Sequence, residues 1–96
     1  IIGKNVFIGP SATLTNDPYP PSKKLDGVYV EDNAVIGARS VIKSGVTIGK
    51  NSVVGMGSLI IKDVPADTVA FGSPAKVVYS REDYDNKMKN WVRTSK

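Results

Sequence analysis

The 96-residue chain contains neither cysteine nor histidine. Without cysteine it can form no disulfide and no thiolate metal site. Without histidine it lacks the commonest metal ligand and the side chain that most often acts as a general base near neutral pH. We therefore expect no metal in this protein, and any reaction that it catalyses has to proceed without a histidine base.

Long apolar runs are absent as well. No stretch approaches the roughly 20 apolar residues that are needed to cross a bilayer. No secretory leader is visible either, so we expect a cytoplasmic protein with no membrane partner. The first residue is an isoleucine in the middle of a pattern, which is compatible with a fragment of a longer protein.

The sequence also lacks a dense cluster of charges of one sign. The net charge is +4, and the basic residues are scattered over turns and the C-terminal segment with acidic residues between them. A nucleic-acid interface should show a denser basic stripe with exposed aromatic residues, so we expect no nucleic-acid partner. The surplus of positive charge favours phosphorylated small molecules instead.

What the chain does contain is a repeat of six residues. An aliphatic residue occupies every sixth position through the middle of the chain: Val30, Ile36, Ile42, Ile48, Val54 and Ile60. A short side chain stands two positions before each following repeat: Ala34, Ser40, Val46, Ser52 and Ser58. This period suits neither an amphipathic helix nor an alternating strand. It predicts an all-β solenoid in which each hexad forms one short strand and one turn, and three hexads form one triangular coil.

The same pattern extends to the N-terminus with one interruption. Ile2 and Ile8 begin two further hexads and Leu14 a third, but the next aliphatic position in phase is Val30, ten residues late. The surplus residues, within about 15–28, are rich in proline and predict a loop at a corner. Such a loop on a rigid scaffold is more often functional than not. About three coils follow: 2–14, 30–46 and 48–64.

The C-terminal part should cap the solenoid. The period breaks at 62–65, and residues 69–79 read as a final extended stretch with a Gly-Ser-Pro turn. Ser80 begins a capping box, and Tyr84, Met88 and Trp91 form one apolar stripe of a helix ending near Arg93. We expect this stripe to pack on the solenoid end or on a neighbouring subunit. The predicted domains are 1–79, the solenoid with its loop, and 80–96, the helix and tail.

Residues 33–65, together with the Gly-Ser-Pro-Ala-Lys element at 72–76, resemble the hexapeptide-repeat acyltransferases. The resemblance implies a left-handed parallel β-helix that forms a homotrimer, with acetyl-CoA bound in the groove between adjacent solenoids. It also implies that main-chain atoms of Ala38 and Met56 line the pantetheine channel. Ile61 and Lys62 would lie further along it, and Lys76 would approach the adenine and phosphate end.

The sequence of the loop indicates which members of this family the chain resembles most. Many members of the family carry a histidine base there, whereas this loop contains Asn16 and Asp17 followed by prolines at 18 and 20. That motif is similar to the nucleotide-sugar N-acetyltransferases, which implies an amino sugar as acceptor. Asn16 would hydrogen-bond the sugar, and Asp17 would orient the amine or accept its proton. Alternatively, the two residues form only an Asx-turn before Pro18.

An amine can attack a thioester without a strong protein base, because part of it is neutral near pH 7. Positioning and stabilisation of the oxyanion, for example by a backbone N–H near Ala38, then supply most of the catalysis. Two alternatives stay open, an O-acetyltransferase of a sugar or another small molecule and a non-catalytic trimeric scaffold. A γ-class carbonic anhydrase is excluded because it needs three histidine ligands.

Overall fold

The computed structural model describes residues 1–16 and 26–94. The hexads form short strands of two residues each, as the period predicts. They are β1 (Phe7–Ile8), β2 (Thr13–Leu14), β3 (Tyr29–Val30), β4 (Val35–Ile36), β5 (Val41–Ile42), β6 (Thr47–Ile48), β7 (Val53–Val54) and β8 (Leu59–Ile60). Three longer elements follow: β9 (Thr68–Gly72), β10 (Ala75–Ser80) and α1 (Arg81–Thr94).

The strands form three sheets, in the orders β1-β4-β7-β9-β10, β2-β5-β8 and β3-β6. All pairs between hexad strands are parallel, and the partner of Val35 is Val53, eighteen residues further on. The chain therefore visits the three sheets in turn and returns to the first after three hexads. This confirms the predicted parallel coils, with the helix at the C-terminal end.

The register of the strand pairs gives the length of the inserted loop. Phe7 pairs with Val35 and Thr13 with Val41, so this step spans twenty-eight residues and exceeds the ordinary coil by the ten predicted from the sequence. The chain leaves the solenoid after β2 and returns before β3. Asn16 O accepts a hydrogen bond of 2.9 Å from Asp26 N, which closes the base of the loop.

The core is a stack of the repeating aliphatic residues. Ile36, Ile42 and Ile48 have no exposed surface, and Val54 lies directly above Ile36 in the next coil. Burial of each such side chain contributes about 1.5–3 kcal/mol relative to exposure. The serines at the short positions are also buried, since a hydroxyl fits the corner and finds a carbonyl there. Ser52 Oγ, for example, donates to Gly49 O over 2.6 Å.

The corners of the triangle require special backbone conformations. A positive φ recurs every six residues, at Asn5, Ser11, Asn33, Arg39, Gly45, Asn51 and Gly57. Gly37 is required for a different reason, because a Cβ there would stand 2.5 Å from Met56 N and 2.7 Å from Val54 O in the next coil. Short residues at the corners thus let successive coils approach at the parallel-strand spacing.

A hairpin and a helix cap the C-terminal end. Strand β9 continues the sheet of β7 in parallel, but Val53 pairs with Val69, only sixteen residues on, so the period breaks where predicted. Strand β10 returns antiparallel to β9. Ser80 Oγ then accepts the N–H of Asp83 over 3.1 Å, as the predicted N-cap does.

Helix α1 packs through Arg81 and Tyr84 of its first turn, and further along it Lys87 Nζ lies 5.3 Å from the ring centroid of Tyr79 on β10. Of the predicted apolar stripe, Tyr84 is partly buried, whereas Met88 and Trp91 are 48% and 69% exposed. Arg81 fixes the helix: its guanidinium donates to the carbonyls of Asn33 (3.2 Å) and Asn51 (3.4 Å) on two successive corners. Within the described ranges, no helix has the length and apolarity to cross a membrane.

Candidate functional site

Ala38 and Met56 occupy equivalent corner positions in successive coils, after β4 and β7. Gly57 N donates to Ala38 O over 2.8 Å, which ties the two corners together. The corner of the preceding coil lies in line with these two, because Arg39 N donates to Pro10 O over 3.0 Å. The structure thus brings together the two residues that the resemblance assigned to the pantetheine channel.

The main-chain N–H groups of Ala38 and Met56 lie one above the other at this corner. The amides on either side of them are engaged: Gly37 N donates to Val54 O and Gly57 N to Ala38 O. Within residues 1–16 and 26–94, neither Ala38 N nor Met56 N has an acceptor. Stacked corners stand about 4.8 Å apart, so the pair can bind carbonyl oxygens of an extended ligand or a developing oxyanion.

A groove of about 630 Å³ runs beside the stacked amides of Ala38 and Met56, which we call the amide column. Its floor is the sheet of β4 and β7, and its other wall comes from the hairpin and α1. The lining is almost wholly apolar, and the residues are Phe7, Val35, Gly37, Ala38, Val53, Val54, Gly55, Met56, Val69, Phe71, Val78, Tyr79 and Tyr84. The hexad pattern does not predict this other wall, since only the packing of β10 and α1 brings Phe71, Val78 and Tyr84 to the corner.

A second groove, of about 430 Å³, contains the other three residues assigned to the donor. Ile61, Lys62 and Lys76 line it together, and both lysines are exposed. Val77 borders this groove and Val78 the first one, so the two grooves lie on opposite sides of β10. The five predicted donor residues therefore form two groups, one on each side of the hairpin.

Of the two predicted acceptor residues, the structure describes Asn16, at the corner from which the loop departs. Asn16 is exposed at the start of the loop, while Asp17 lies outside the described residues. Thr15 anchors this end: its hydroxyl donates to Ile42 O (3.1 Å) and accepts from Ser44 N (2.9 Å). At the returning end stands Asp26, a carboxylate that the sequence analysis did not single out.

Sheet β2-β5-β8 separates the loop corner from the amide column. Ala38 lies on one side of β5 and Ser44 on the other, six residues along an extended chain. At about 3.3 Å per residue, the two corners of one chain stand roughly 15–20 Å apart. A group held at the base of the loop therefore stands roughly 15–20 Å from a group held at Ala38 and Met56 of the same chain. No set of three or more carboxylates able to hold a metal occurs in the part of the chain described.

Comparisons with known proteins agree with this geometry. The family profile described as the hexapeptide repeat of succinyl-transferase matches residues 27–62. The galactoside O-acetyltransferase of Lactococcus lactis subsp. lactis is 40% identical over 94 residues, which cover 90% of this chain and 45% of that protein. The 2,3,4,5-tetrahydropyridine-2,6-dicarboxylate N-acetyltransferase of Staphylococcus aureus is 41% identical over 90 residues, or 94% of this chain and 37% of that protein.

A solved structure of a galactoside acetyltransferase in complex with coenzyme A superimposes with a TM-score of 0.73 at 34% identity. The match covers 88% of this chain and 46% of that one. The chain thus spans less than half the length of each of these relatives.

Proposed function

Because this chain belongs to the hexapeptide-repeat acyltransferases, we propose that it forms the acetyl-CoA-binding part of an acetyltransferase. The observation that carries the proposal is the pair of amides at Ala38 and Met56, which lack an acceptor among the described residues and face a long apolar groove. A pantetheine arm has the matching chemistry, since it is a flexible apolar chain interrupted by two amides.

The second groove suits the opposite end of the donor. Lys62 and Lys76 place two exposed cations on the far side of β10, and flexible ammonium groups bind phosphates well. In this arrangement the pantetheine lies along Ala38 and Met56, and the phosphates lie towards Lys76. Ile61 lines the same groove as the two lysines and would give the donor an apolar contact there.

We further infer that the parallel β-helix is left-handed and that it forms a homotrimer. Because the base of the loop and the corner of Ala38 and Met56 are roughly 15–20 Å apart in one chain, we place the loop of one copy against that corner of the next copy. Three copies in a closed ring satisfy this head-to-tail contact. The contact would also cover apolar side chains that are now open, such as Phe7 and Phe71, which are 59% and 53% exposed. Sedimentation at micromolar concentration should give three times the 10.3 kDa of one chain, and a folded monomer would contradict the arrangement.

The proposed acceptor is the amino group of a nucleotide-linked sugar. The neutral amine attacks the thioester carbonyl carbon, the carbon–sulfur bond breaks, and the proton lost by nitrogen goes to the departing thiolate or to water. Asn16 hydrogen-bonds the sugar, and Asp17 orients the amine or takes its proton. The absence of histidine from all 96 residues supports an amine over a hydroxyl, because a hydroxyl needs a base to remove its proton.

One observation favours a second candidate, an O-acetyltransferase. The Lactococcus lactis relative is named as a galactoside O-acetyltransferase and is as similar in sequence as the N-acetyltransferase relative. For a hydroxyl acceptor a carboxylate such as Asp17 would have to replace histidine as base.

Calorimetric titration with acetyl-CoA, followed by a thiol-release assay on acceptor pairs that differ only in amine or hydroxyl, tests both proposals. Replacing Ala38 with tryptophan should abolish acetyl-CoA binding while the melting temperature stays near that of the parent. Asp17→Asn should lower turnover about 10²- to 10⁴-fold if Asp17 is the base, and less if it only orients the amine. Unchanged acetyl-CoA affinity in Ala38→Trp would contradict the proposed channel.

A further inference from the structure

Pro10 stands in line with the amide column, one coil nearer the N-terminus. It occupies in the first coil the corner position that Ala38 and Met56 occupy in the next two. Arg39 N donates to Pro10 O, and Gly57 N donates to Ala38 O in the same way. Because proline has no main-chain N–H, the first coil adds no third donor to the column.

The fold does not require a proline at this corner position. Lys4 and Lys50 hold the same position at another corner of the triangle, and both have a main-chain N–H that is hydrogen-bonded. Lys4 N donates to Asp32 Oδ1 over 2.8 Å, and Lys50 N donates to Glu31 Oε1 over 3.0 Å. A residue other than proline at position 10 would therefore present an N–H group in line with the amide column.

Such a third N–H group would change how an acyl donor binds. In the proposed arrangement the phosphates lie towards Lys76 on β10, so the thioester end points towards β1 at the other edge of the sheet. The thioester carbonyl and the two amide carbonyls of the pantetheine arm follow one another at intervals of about 5 Å, close to the spacing of stacked coils. The donor can thus bind with its thioester carbonyl at Ala38 or, shifted by one coil, at position 10.

We propose that Pro10 is a positioning residue that sets the register of the acyl donor. The inference rests on the proposed acetyl transfer and deepens it. A thioester carbonyl finds no hydrogen-bond donor in the main chain of Pro10, whereas the N–H of Ala38 can bind it and stabilise the oxyanion that develops there. The acyl group then lies against the exposed pyrrolidine ring of Pro10, at the end of the groove that Phe7 borders. This apolar end suits an acetyl group.

Pro10→Ala tests the proposal because it supplies the missing N–H. The shifted register then gains one hydrogen bond, so acetyl-CoA should bind about 2- to 10-fold more tightly in calorimetry. Free CoA has no thioester carbonyl, and its affinity should stay the same. The shifted donor is held about one coil from the productive position, so kcat and KM for acetyl-CoA should fall together in a thiol-release assay, with kcat/KM unchanged. A purely structural role for Pro10 would instead raise KM or lower kcat/KM.

Lys4→Ala is the matched control, since it changes the same corner position at another corner of the same coil and keeps its N–H. It should alter neither affinity nor turnover. Tighter binding of acetyl-CoA alone by Pro10→Ala supports the register. Unchanged acetyl-CoA affinity in Pro10→Ala, or an equal gain for free CoA, overturns it and leaves the proposed function standing.

A parent protein that does not bind acetyl-CoA refutes the proposed function and the register with it. If Pro10→Ala does not fold, the carbonyl ¹³C resonance of labelled acetyl-CoA bound to the parent decides. A downfield shift on binding supports a hydrogen bond from the Ala38 N–H to the thioester carbonyl, and an unshifted resonance overturns the proposal.

Discussion

Replacing Gly37 with alanine tests the link between the spacing of the coils and the donor site. The added Cβ would stand 2.5 Å from Met56 N, 2.7 Å from Val54 O and 2.8 Å from Gly55 C, all of them backbone atoms of the next coil. Ordinary van der Waals contact needs about 3.4 Å or more. The corner that carries the Met56 amide therefore has to move by the better part of an ångström.

The magnitude follows from two opposing effects. Overpacking of this kind costs about 1–3 kcal/mol. Alanine also restricts the backbone of the unfolded chain, which raises the free energy of unfolding by about 0.4–1 kcal/mol. We expect the free energy of unfolding to fall by about 1–2 kcal/mol and the affinity for acetyl-CoA to fall at least about 10-fold, because the Met56 amide is displaced.

Gly57→Ala is the matched control. Gly57 lies at the same corner with φ +69°, and a Cβ there would meet nothing within 4 Å. Its left-handed conformation costs alanine about 1–2 kcal/mol, so the stability loss should be similar. Acetyl-CoA affinity should change little, since no backbone moves. Urea denaturation at one protein concentration and calorimetry measure both quantities. Equal acetyl-CoA affinity in Gly37→Ala and Gly57→Ala would refute the link.

Two further variants examine the cap and the cationic groove. Arg81→Ala should lower the free energy of unfolding by about 1–3 kcal/mol in urea denaturation, since two carbonyls and Asp85 lose a charged donor; stability equal to the parent would mean that α1 is held by its other contacts. Lys76→Ala should weaken acetyl-CoA binding about 3- to 10-fold at low salt and less at high salt. Lys89→Ala on α1 is the control and should leave acetyl-CoA binding unchanged. A loss of affinity in Lys76→Ala that does not depend on salt would argue against a phosphate contact.

The sequence by itself determined the repeat, the number of coils, the length of the inserted loop and the start of the helix. These features are local: an aliphatic residue at every sixth position can be buried by only one kind of chain path, and a serine before an acidic turn caps a helix wherever it lies. The stacking of Ala38 and Met56 followed from the same period, because residues eighteen apart pair in successive coils, whereas their assignment to the donor channel came from the family resemblance.

Only the tertiary structure decided which side chains border the grooves and which lie at the base of the loop. Phe71, Val78 and Tyr84 reach the donor groove because β10 folds back on β9 and α1 is tied to two corners by Arg81, and no period relates these residues to Ala38. At the base of the loop, Ser44 N donates to Thr15 Oγ1 and Gly45 N donates to Gly27 O. These contacts depend on the path of the chain as it leaves and rejoins the solenoid, which the hexad pattern, interrupted at that point, does not encode.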